Sequence, residues 1–188
     1  KVLICEQHHK PGGYCTSFVR RGIQIDGVIH AIQNCQDGSI LNKVFKELEI
    51  FSDLDFIRPN PTDSVVIGGK IIHIMNNFSE TLNSFIDNYP KDEKSLVDFF
   101  HLFARSEFIE LYSRFYKKTY REVLDEYFDN VEIKSIFSIF LGNIGSTPSN
   151  TSAVAAFALL RQFIMTGGYY PRGGIQKIPD LLSRQLRK

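Results

Sequence analysis

An apolar run that ends on an acid, with two adjacent glycines shortly after, constrains this chain more than any other stretch. Val2, Leu3, Ile4 and Cys5 form the run, Glu6 closes it, and Gly12-Gly13 follow Pro11. A short continuous run of this kind is what a strand shows when both faces of its sheet are covered, as in a parallel sheet. The expected start is therefore a buried strand over residues 2–5, an acid at its end and a glycine loop.

In dinucleotide-binding α/β units, a carboxylate at the end of the second strand accepts hydrogen bonds from ribose hydroxyls. Glu6 is placed to be such an acceptor. The Gly-rich turn that cradles the pyrophosphate belongs upstream of that acid, and here the sequence opens at Lys1. Gly12-Gly13, Gly68-Gly69, Gly167-Gly168 and Gly173-Gly174 offer no substitute G-x-G-x-x-G. A single parallel strand makes no stable sheet alone. The chain is thus expected to be a fragment that holds the ribose and loop half of a nucleotide motif without its phosphate half, and to lack its far end as well.

The 188 residues allow one ordinary domain or two small ones. A formal net charge of +1 indicates no strong pull toward nucleic acid or anionic lipid. Hydrophobic residues make up 43%, enough for a packed core, and 16 phenylalanines against no tryptophan point to greasy internal surfaces. Cys5, Cys15 and Cys35 have neither disulfide nor metal-site spacing, so a reduced intracellular chain is expected. No signal-peptide pattern opens the sequence, and no apolar run reaches the roughly 18 residues that span a bilayer.

Downstream, Leu41, Val44, Phe45 and Leu48 have helical spacing and predict a helix over 40–49. Pro59 and Pro61 make 56–62 an extended link. Gly68-Gly69 between two β-rich runs predicts a tight hairpin of 64–67 with 70–75. Helices follow: 78–88 with Ser79 as N-cap, a longer one opened by Pro90, one started by the capping box of Thr119 and Glu122, then 131–141 ended by Gly142, and 151–166 closed by Gly167-Gly168. A turn over 169–174 feeds an amphipathic helix from Ile175 to about Arg187, with Pro179 near its start.

Taken together, Val2-Leu3-Ile4-Cys5-Glu6, Pro11-Gly12-Gly13 and Gly22-Ile23-Gln24-Ile25-Asp26 resemble the second half of the flavin-binding motif of FAD-dependent amine oxidase and phytoene desaturase-like enzymes. At the other end, Gly168-Tyr169-Tyr170-Pro171-Arg172-Gly173-Gly174 resembles the Y-P-x-G-G turn of the phytoene desaturase, carotenoid isomerase and retinol saturase branch, where it precedes a helix returning to the FAD domain. Gly145-Ser146-Thr147-Pro148-Ser149 resembles that branch's loop before a long helix.

The resemblance implies FAD as cofactor and assigns its contacts. Glu6 would hold the adenosine ribose, and Gly12 and Gly13 would let backbone approach the pyrophosphate, where a side chain would collide. Tyr14 follows the glycine pair at a position where many relatives carry arginine, so Lys10 would supply positive charge instead. Asp26 to His30 would approach the isoalloxazine ring, which makes Val28, Ile29 and His30 ring contacts. No catalytic residue is identifiable, and no triad, carboxylate pair or metal pattern stands out. That fits chemistry carried by a cofactor.

The fold class is α/β, or α+β for the chain as it stands. Residues 1–51 would form part of a Rossmann-type FAD domain, 52–166 a helical and β-hairpin substrate cap, and 167–188 the return turn and helix. The implied activity is FAD-dependent redox at a C–H or C=C bond of an apolar polyene or lipid-like small molecule: desaturation, saturation or isomerisation. The alternative is a non-catalytic prenyl- or lipid-binding relative of the GDP-dissociation-inhibitor type. A peripheral membrane contact, a cytoplasmic location and no nucleic-acid partner complete the expectation.

Several residues carry two readings. His30 is either a packed core histidine or part of the flavin or substrate site. Phe99, Phe100, Phe103 and Phe108 are either core or the wall of an apolar tunnel. His8-His9, a polar-loop pair without further ligands, reads as solvated rather than metal-binding, and Arg20-Arg21 as a solvated loop pair.

Overall fold

Arg21 and Gly22 both have positive φ (53° and 78°), the backbone that a two-residue hairpin loop requires. Around them, Ser17–Arg20 (β1) and Ile23–Asp26 (β2) pair antiparallel, with Phe18 opposite Ile25 and Ser17 opposite Asp26. This hairpin heads the computed structural model, which describes residues 3–29 and 31–187. The strand expected over 2–5 is not formed in its described part. Leu3 and Ile4 are 87% and 66% exposed, Cys5 is exposed too, and no strand lies beside them among the described residues. Without a neighbour to take its backbone hydrogen bonds, an apolar run gains nothing from extending into a strand. Val2 lies outside the described residues.

Ile40–Glu47 (α1) follows the predicted apolar spacing and buries Phe45. Phe56–Ile57 (β3) is a short strand where an extended link was expected. Asp63–Ile67 (β4) and Lys70–Ile74 (β5) form the predicted hairpin, with Gly68 and Gly69 at φ 56° and 76°. The helix Phe78–Asn88 (α2) is capped by Asn77 rather than by Ser79. Asn77 is extended, and its side-chain oxygen accepts from the N–H groups of Ser79 (2.9 Å) and Glu80 (3.2 Å), which leaves Ser79 inside the first turn.

After one 3-10 turn at Pro90–Asp92 come Glu93–Arg105 (α3) and Phe108–Phe115 (α4). Tyr120–Tyr127 (α5) begins with the predicted capping box, Thr119 and Glu122 each satisfying the other's backbone N–H. Val131–Ile139 (α6) runs into a 3-10 segment that turns at Gly145 (φ 61°), not at Gly142. Ala153–Arg161 (α7) ends in a π-helical turn, Gln162–Thr166, closed by Gly167 at φ 66°. Tyr170–Pro171 (β6) then pairs antiparallel with β3, and Lys177–Leu186 (α8) completes the elements.

The chain divides into two compact units, Lys1–Pro59 with Gly168–Lys188, and Asn60–Gly167. The β3–β6 pairing, with the bridge between Ile32 and Tyr169, draws the last 21 residues into the first unit. Among the described residues, helices mixed with three small antiparallel sheets make the class α+β. Among the described residues no two strands run parallel.

In the second unit, Phe85, Phe99, Phe100, Phe103, Phe115, Phe137 and Phe157 are fully buried. Phe99 alone meets Phe137 at 4.8 Å, Phe128 at 5.2 Å and Phe157 at 5.8 Å between ring centres. Rings packed on rings at these distances fill space, so Phe99, Phe100 and Phe103 are core and not tunnel wall. Phe108 departs from that stripe: it is 62% exposed, because it starts a new helix after the break at Ser106. The first unit has its own smaller core of Cys35, Phe45, Ile50, Leu54, Ile175, Ile178 and Leu181.

Candidate functional site

The loop from Glu6 to Cys15 is held by its own polar groups. The Glu6 carboxylate accepts from the His8 N–H at 2.9 Å, the Lys10 N–H donates to His8 Nδ1 at 3.3 Å, and the Lys10 ammonium donates to the Ser17 carbonyl at 3.2 Å. A 3-10 turn, Gly13–Cys15, follows, with Cys15 N–H donating to the Gly12 carbonyl at 2.9 Å. The two glycines are needed for different reasons. Gly12 has φ 128°, and a β-carbon there would sit 2.8 Å from Pro179 Cγ on α8. Gly13 has φ 54°, and a β-carbon there would meet nothing within 4 Å. The first glycine is demanded by packing, whereas at the second only the left-handed backbone favours glycine.

Gln176 ties this loop, and Asp26 the hairpin that follows it, to the C-terminal turn. The Asp26 carboxylate accepts from the Ser17 hydroxyl, the Tyr170 phenol and the Ile175 N–H, the last at 2.9 Å. Desolvation pushes the Asp26 carboxyl up, but these three donors outweigh it and hold it below the ordinary value. Burial and the neighbouring carboxylate push the Tyr170 phenol up to about 12. Buried Gln176 accepts from the Ser17 N–H (3.1 Å) and donates to the Pro11 carbonyl (3.0 Å) and to Asp180 (3.0 Å). Gly174, at φ 95°, has no room for a β-carbon, which would strike Gln24 and Asp26. The Pro11-Gly12-Gly13 loop and the Tyr170–Gly174 turn are therefore one construction, far apart in sequence and knitted by Asp26, Gln176 and the Gly12–Pro179 contact.

Two clefts border α8. One, of about 450 Å³, is lined by Glu6, His8, His9 and Pro11 on one side and by Ser183, Leu186 and Arg187 on the other. The second, of about 480 Å³, holds Lys10, Gln24, Gln176, Lys177 and Arg184. Of the sequence-predicted site residues, Glu6 faces the first cleft and Lys10 the second, with Gly12 and Gly13 on the loop after them. Tyr14 and Val28 are 78% and 59% exposed and line neither. Ile29 packs against the small core of the unit. His30 lies outside the described residues. Sequence reasoning missed Asp26 and Gln176 as the joints, and missed Lys177 and Arg184, whose i, i+7 spacing puts both on one face of α8. Their signal was the polar face of the predicted amphipathic helix, which also carries Asp180.

The sequence profile of the flavin containing amine oxidoreductases matches residues 1–188. The chain belongs to that family. Among curated proteins it resembles all-trans-retinol 13,14-reductase of Homo sapiens, 26% identical over 95% of this chain, and of Danio rerio, 22% identical over 95%. It also resembles the inactive all-trans-retinol 13,14-reductase of Danio rerio, 25% identical over 100% of this chain. The chain spans about a third of the length of these relatives, 34% for the first two and 36% for the third. Family membership implies FAD. The donor set of the first unit suits that cofactor's adenosine and pyrophosphate end: an exposed carboxylate on a cleft, and a glycine pair at positive φ after it. Among the described residues no helix is long and apolar enough to cross a membrane.

Proposed function

We propose that the full-length protein is an FAD-dependent oxidoreductase acting on a C=C or C–H bond of an apolar polyene, with reduction of a retinoid-like double bond as the favoured direction. The observation that carries this reading is the similarity of 95% of the chain to proteins named all-trans-retinol 13,14-reductase. When bound, FAD supplies the hydride chemistry. Glu6 accepts from the adenosine ribose hydroxyls, exchanging its bond from the His8 N–H for them. The Gly13 N–H side of the loop approaches the pyrophosphate, and Lys10 contributes positive charge from the adjoining cleft. Gly12, Asp26 and Gln176 touch no ligand in this reading; they fix the loop that does. Val28, Ile29 and His30 follow toward the ring. The first unit serves as part of the FAD-binding domain and the second as substrate cap.

The test uses the full-length protein. Purified protein should be yellow, with flavin absorbance, and chemically reduced protein mixed anaerobically with retinoids should reoxidise and yield the dihydro product. Colourless protein that FAD cannot reconstitute would overturn the reading. A second reading, a non-catalytic binder of prenyl or retinoid lipids, is supported by the relative named inactive. It predicts saturable retinoid binding without turnover in flavin-loaded protein.

A further inference from the structure

Among the described lysines and arginines of the first unit, Lys10 and Lys177 alone are half-buried, and the others are exposed. Both line the cleft of about 480 Å³ beside α8. Lys10 sits on the loop before β1 and Lys177 opens α8, so two distant stretches of sequence bring ammonium groups to one concavity. Neither is paired with a carboxylate among the described residues. The Lys10 ammonium donates to the Ser17 carbonyl at 3.2 Å, which occupies one of its three N–H groups, and the Lys177 ammonium has no hydrogen-bond or ion-pair partner there. Exposed cations of the same unit do have acids: Lys46 pairs with Asp37, Arg172 with Asp55 and Arg184 with Asp53. Among the described residues of the cleft wall, Asp180 is the one acid. It is exposed, and it accepts from the Gln176 amide at 3.0 Å rather than from either lysine. Withdrawing an ammonium from water costs free energy unless a counter-charge makes good the lost hydration. No described side chain supplies that counter-charge to Lys10 or Lys177.

From this arrangement we propose that the cleft binds a phosphate group of a small molecule, held between the ammonium groups of Lys10 and Lys177 with the Arg184 guanidinium at its rim. Two unpaired positive charges call for a ligand that carries two negative ones. A phosphate or diphosphate does so, and a single carboxylate does not. Lysine serves phosphate as a point charge and needs no bidentate geometry. Arg184 gives one guanidinium nitrogen to Asp53, which leaves its other N–H groups for the ligand. The cleft has the size of small-molecule sites, which run from roughly 300 to 1,000 Å³. The phosphate has two sources. One is the diphosphate of FAD, which rests on the function proposed above; the other is a separate phosphorylated ligand, which does not.

The test uses the full-length protein, with inorganic pyrophosphate as the probe, titrated by calorimetry without and with bound FAD. Cofactor-free protein should bind it, less tightly as salt rises, because charge supplies the attraction. Lys177→Gln should weaken that binding about fivefold, and Asp180→Asn, which keeps an oxygen for Gln176, should tighten it about twofold or more. Lys177→Arg should retain binding, and all three variants should melt as the parent does. Opposite signs at Lys177 and Asp180 follow from charge and not from a change in folding. If FAD-loaded protein no longer takes up pyrophosphate, the cleft holds the cofactor's diphosphate; if uptake is undiminished, a second phosphate ligand occupies it. Absence of binding to the cofactor-free protein would overturn the proposal. So would binding that Lys177→Gln and Asp180→Asn leave unchanged. Protein that FAD cannot reconstitute would overturn the function proposed above and leave the pyrophosphate measurement standing.

Discussion

Tyr170 donates its phenol to the carboxylate of Asp26 across 144 residues of sequence. Ser17 and the Ile175 N–H share the same carboxylate, so one acid at the end of β2 ties the first hairpin to the turn that launches α8. Replacing Tyr170 by Phe keeps the ring and removes one of three donors. The expected loss is about 1 kcal/mol of unfolding free energy, the scale of one hydrogen bond to a charged group on a half-exposed site. Chemical denaturation should show a lower midpoint at unchanged slope. An unchanged midpoint would mean that the pair contributes nothing.

The same pair makes stability depend on pH at both ends of the scale. Asp26 titrates below its ordinary value when folded, so its contribution is present above the unfolded carboxyl range near pH 4 and is lost as pH falls through the lower folded value. Tyr170 titrates at about 12 when folded. Its contribution is therefore present below the unfolded value near 10 and is lost as pH rises from about 10 toward 12. The gap in unfolding free energy between the parent and Tyr170→Phe should be flat from pH 5 to 9 and close in both directions outside that window. Tyr89, also pushed to about 12 by burial and by Glu132, is present in both proteins and cancels.

Gly12 and Gly13 should behave differently when each is changed to Ala. At Gly12, φ 128° and a β-carbon 2.8 Å from Pro179 Cγ and 3.1 Å from the Cys15 carbonyl make the substitution costly, about 2–3 kcal/mol. Trimming the neighbour with Pro179→Ala should return part of that, so the double variant should be more stable than the two single losses add up to. Gly13→Ala has space and only the left-handed backbone to contend with, about 1 kcal/mol. Its larger effect should be on bound flavin per protein, read from the absorbance ratio. Equal melts for the two single variants would sink the distinction.

Local signals were the legible part of this fold. Gly68-Gly69, the Thr119–Glu122 box and the stripe of Leu96, Phe99, Phe100 and Phe103 each carry their structure within a dozen residues, and each formed as read. The Arg21-Gly22 hairpin was missed because a non-glycine residue occupies its first positive-φ position. The β3–β6 pairing was missed because two residues opposite two, distant in sequence, leave no periodicity. In the candidate site, Glu6 and the glycine pair were visible as residue types. What holds them was not: Gln176 reads as one more helix-start polar residue until its three partners are in place. Leu3 to Cys5 misled for the opposite reason, since their apolar run describes a strand only where a neighbouring strand exists.

Glu6→Gln separates a ligand role from a structural one. Its side chain is exposed, and the hydrogen bond it accepts from the His8 N–H is a contact a glutamine oxygen can also accept. The melt of the cofactor-free full-length protein should therefore stay within about 0.5 kcal/mol of the parent. Flavin affinity should fall by roughly 1–3 kcal/mol, or about five- to 150-fold in Kd, because a neutral amide accepts from ribose hydroxyls less strongly than a carboxylate and presents a donor to one of them. Titrating FAD into the cofactor-free protein and following flavin fluorescence gives Kd directly. A Kd equal to that of the parent removes Glu6 from the cofactor site.

Phe99→Ala measures how much the packed core of the second unit depends on a single ring. Phe99 is fully buried against Phe103, Tyr127, Phe128, Phe137 and Phe157. Removing its ring leaves a cavity that five neighbouring rings cannot all close, at a cost of about 3–5 kcal/mol. Phe108→Ala, on a 62% exposed ring, should cost less than about 1 kcal/mol. A residue lining a tunnel already has solvent or substrate on one side, and its truncation widens the space at a small cost to folding while changing substrate affinity. The measurement is urea unfolding of both variants beside retinoid binding. A small loss at Phe99 joined to a large change in retinoid affinity would restore the tunnel; a large loss at Phe99 and a small one at Phe108 places Phe99 in the core.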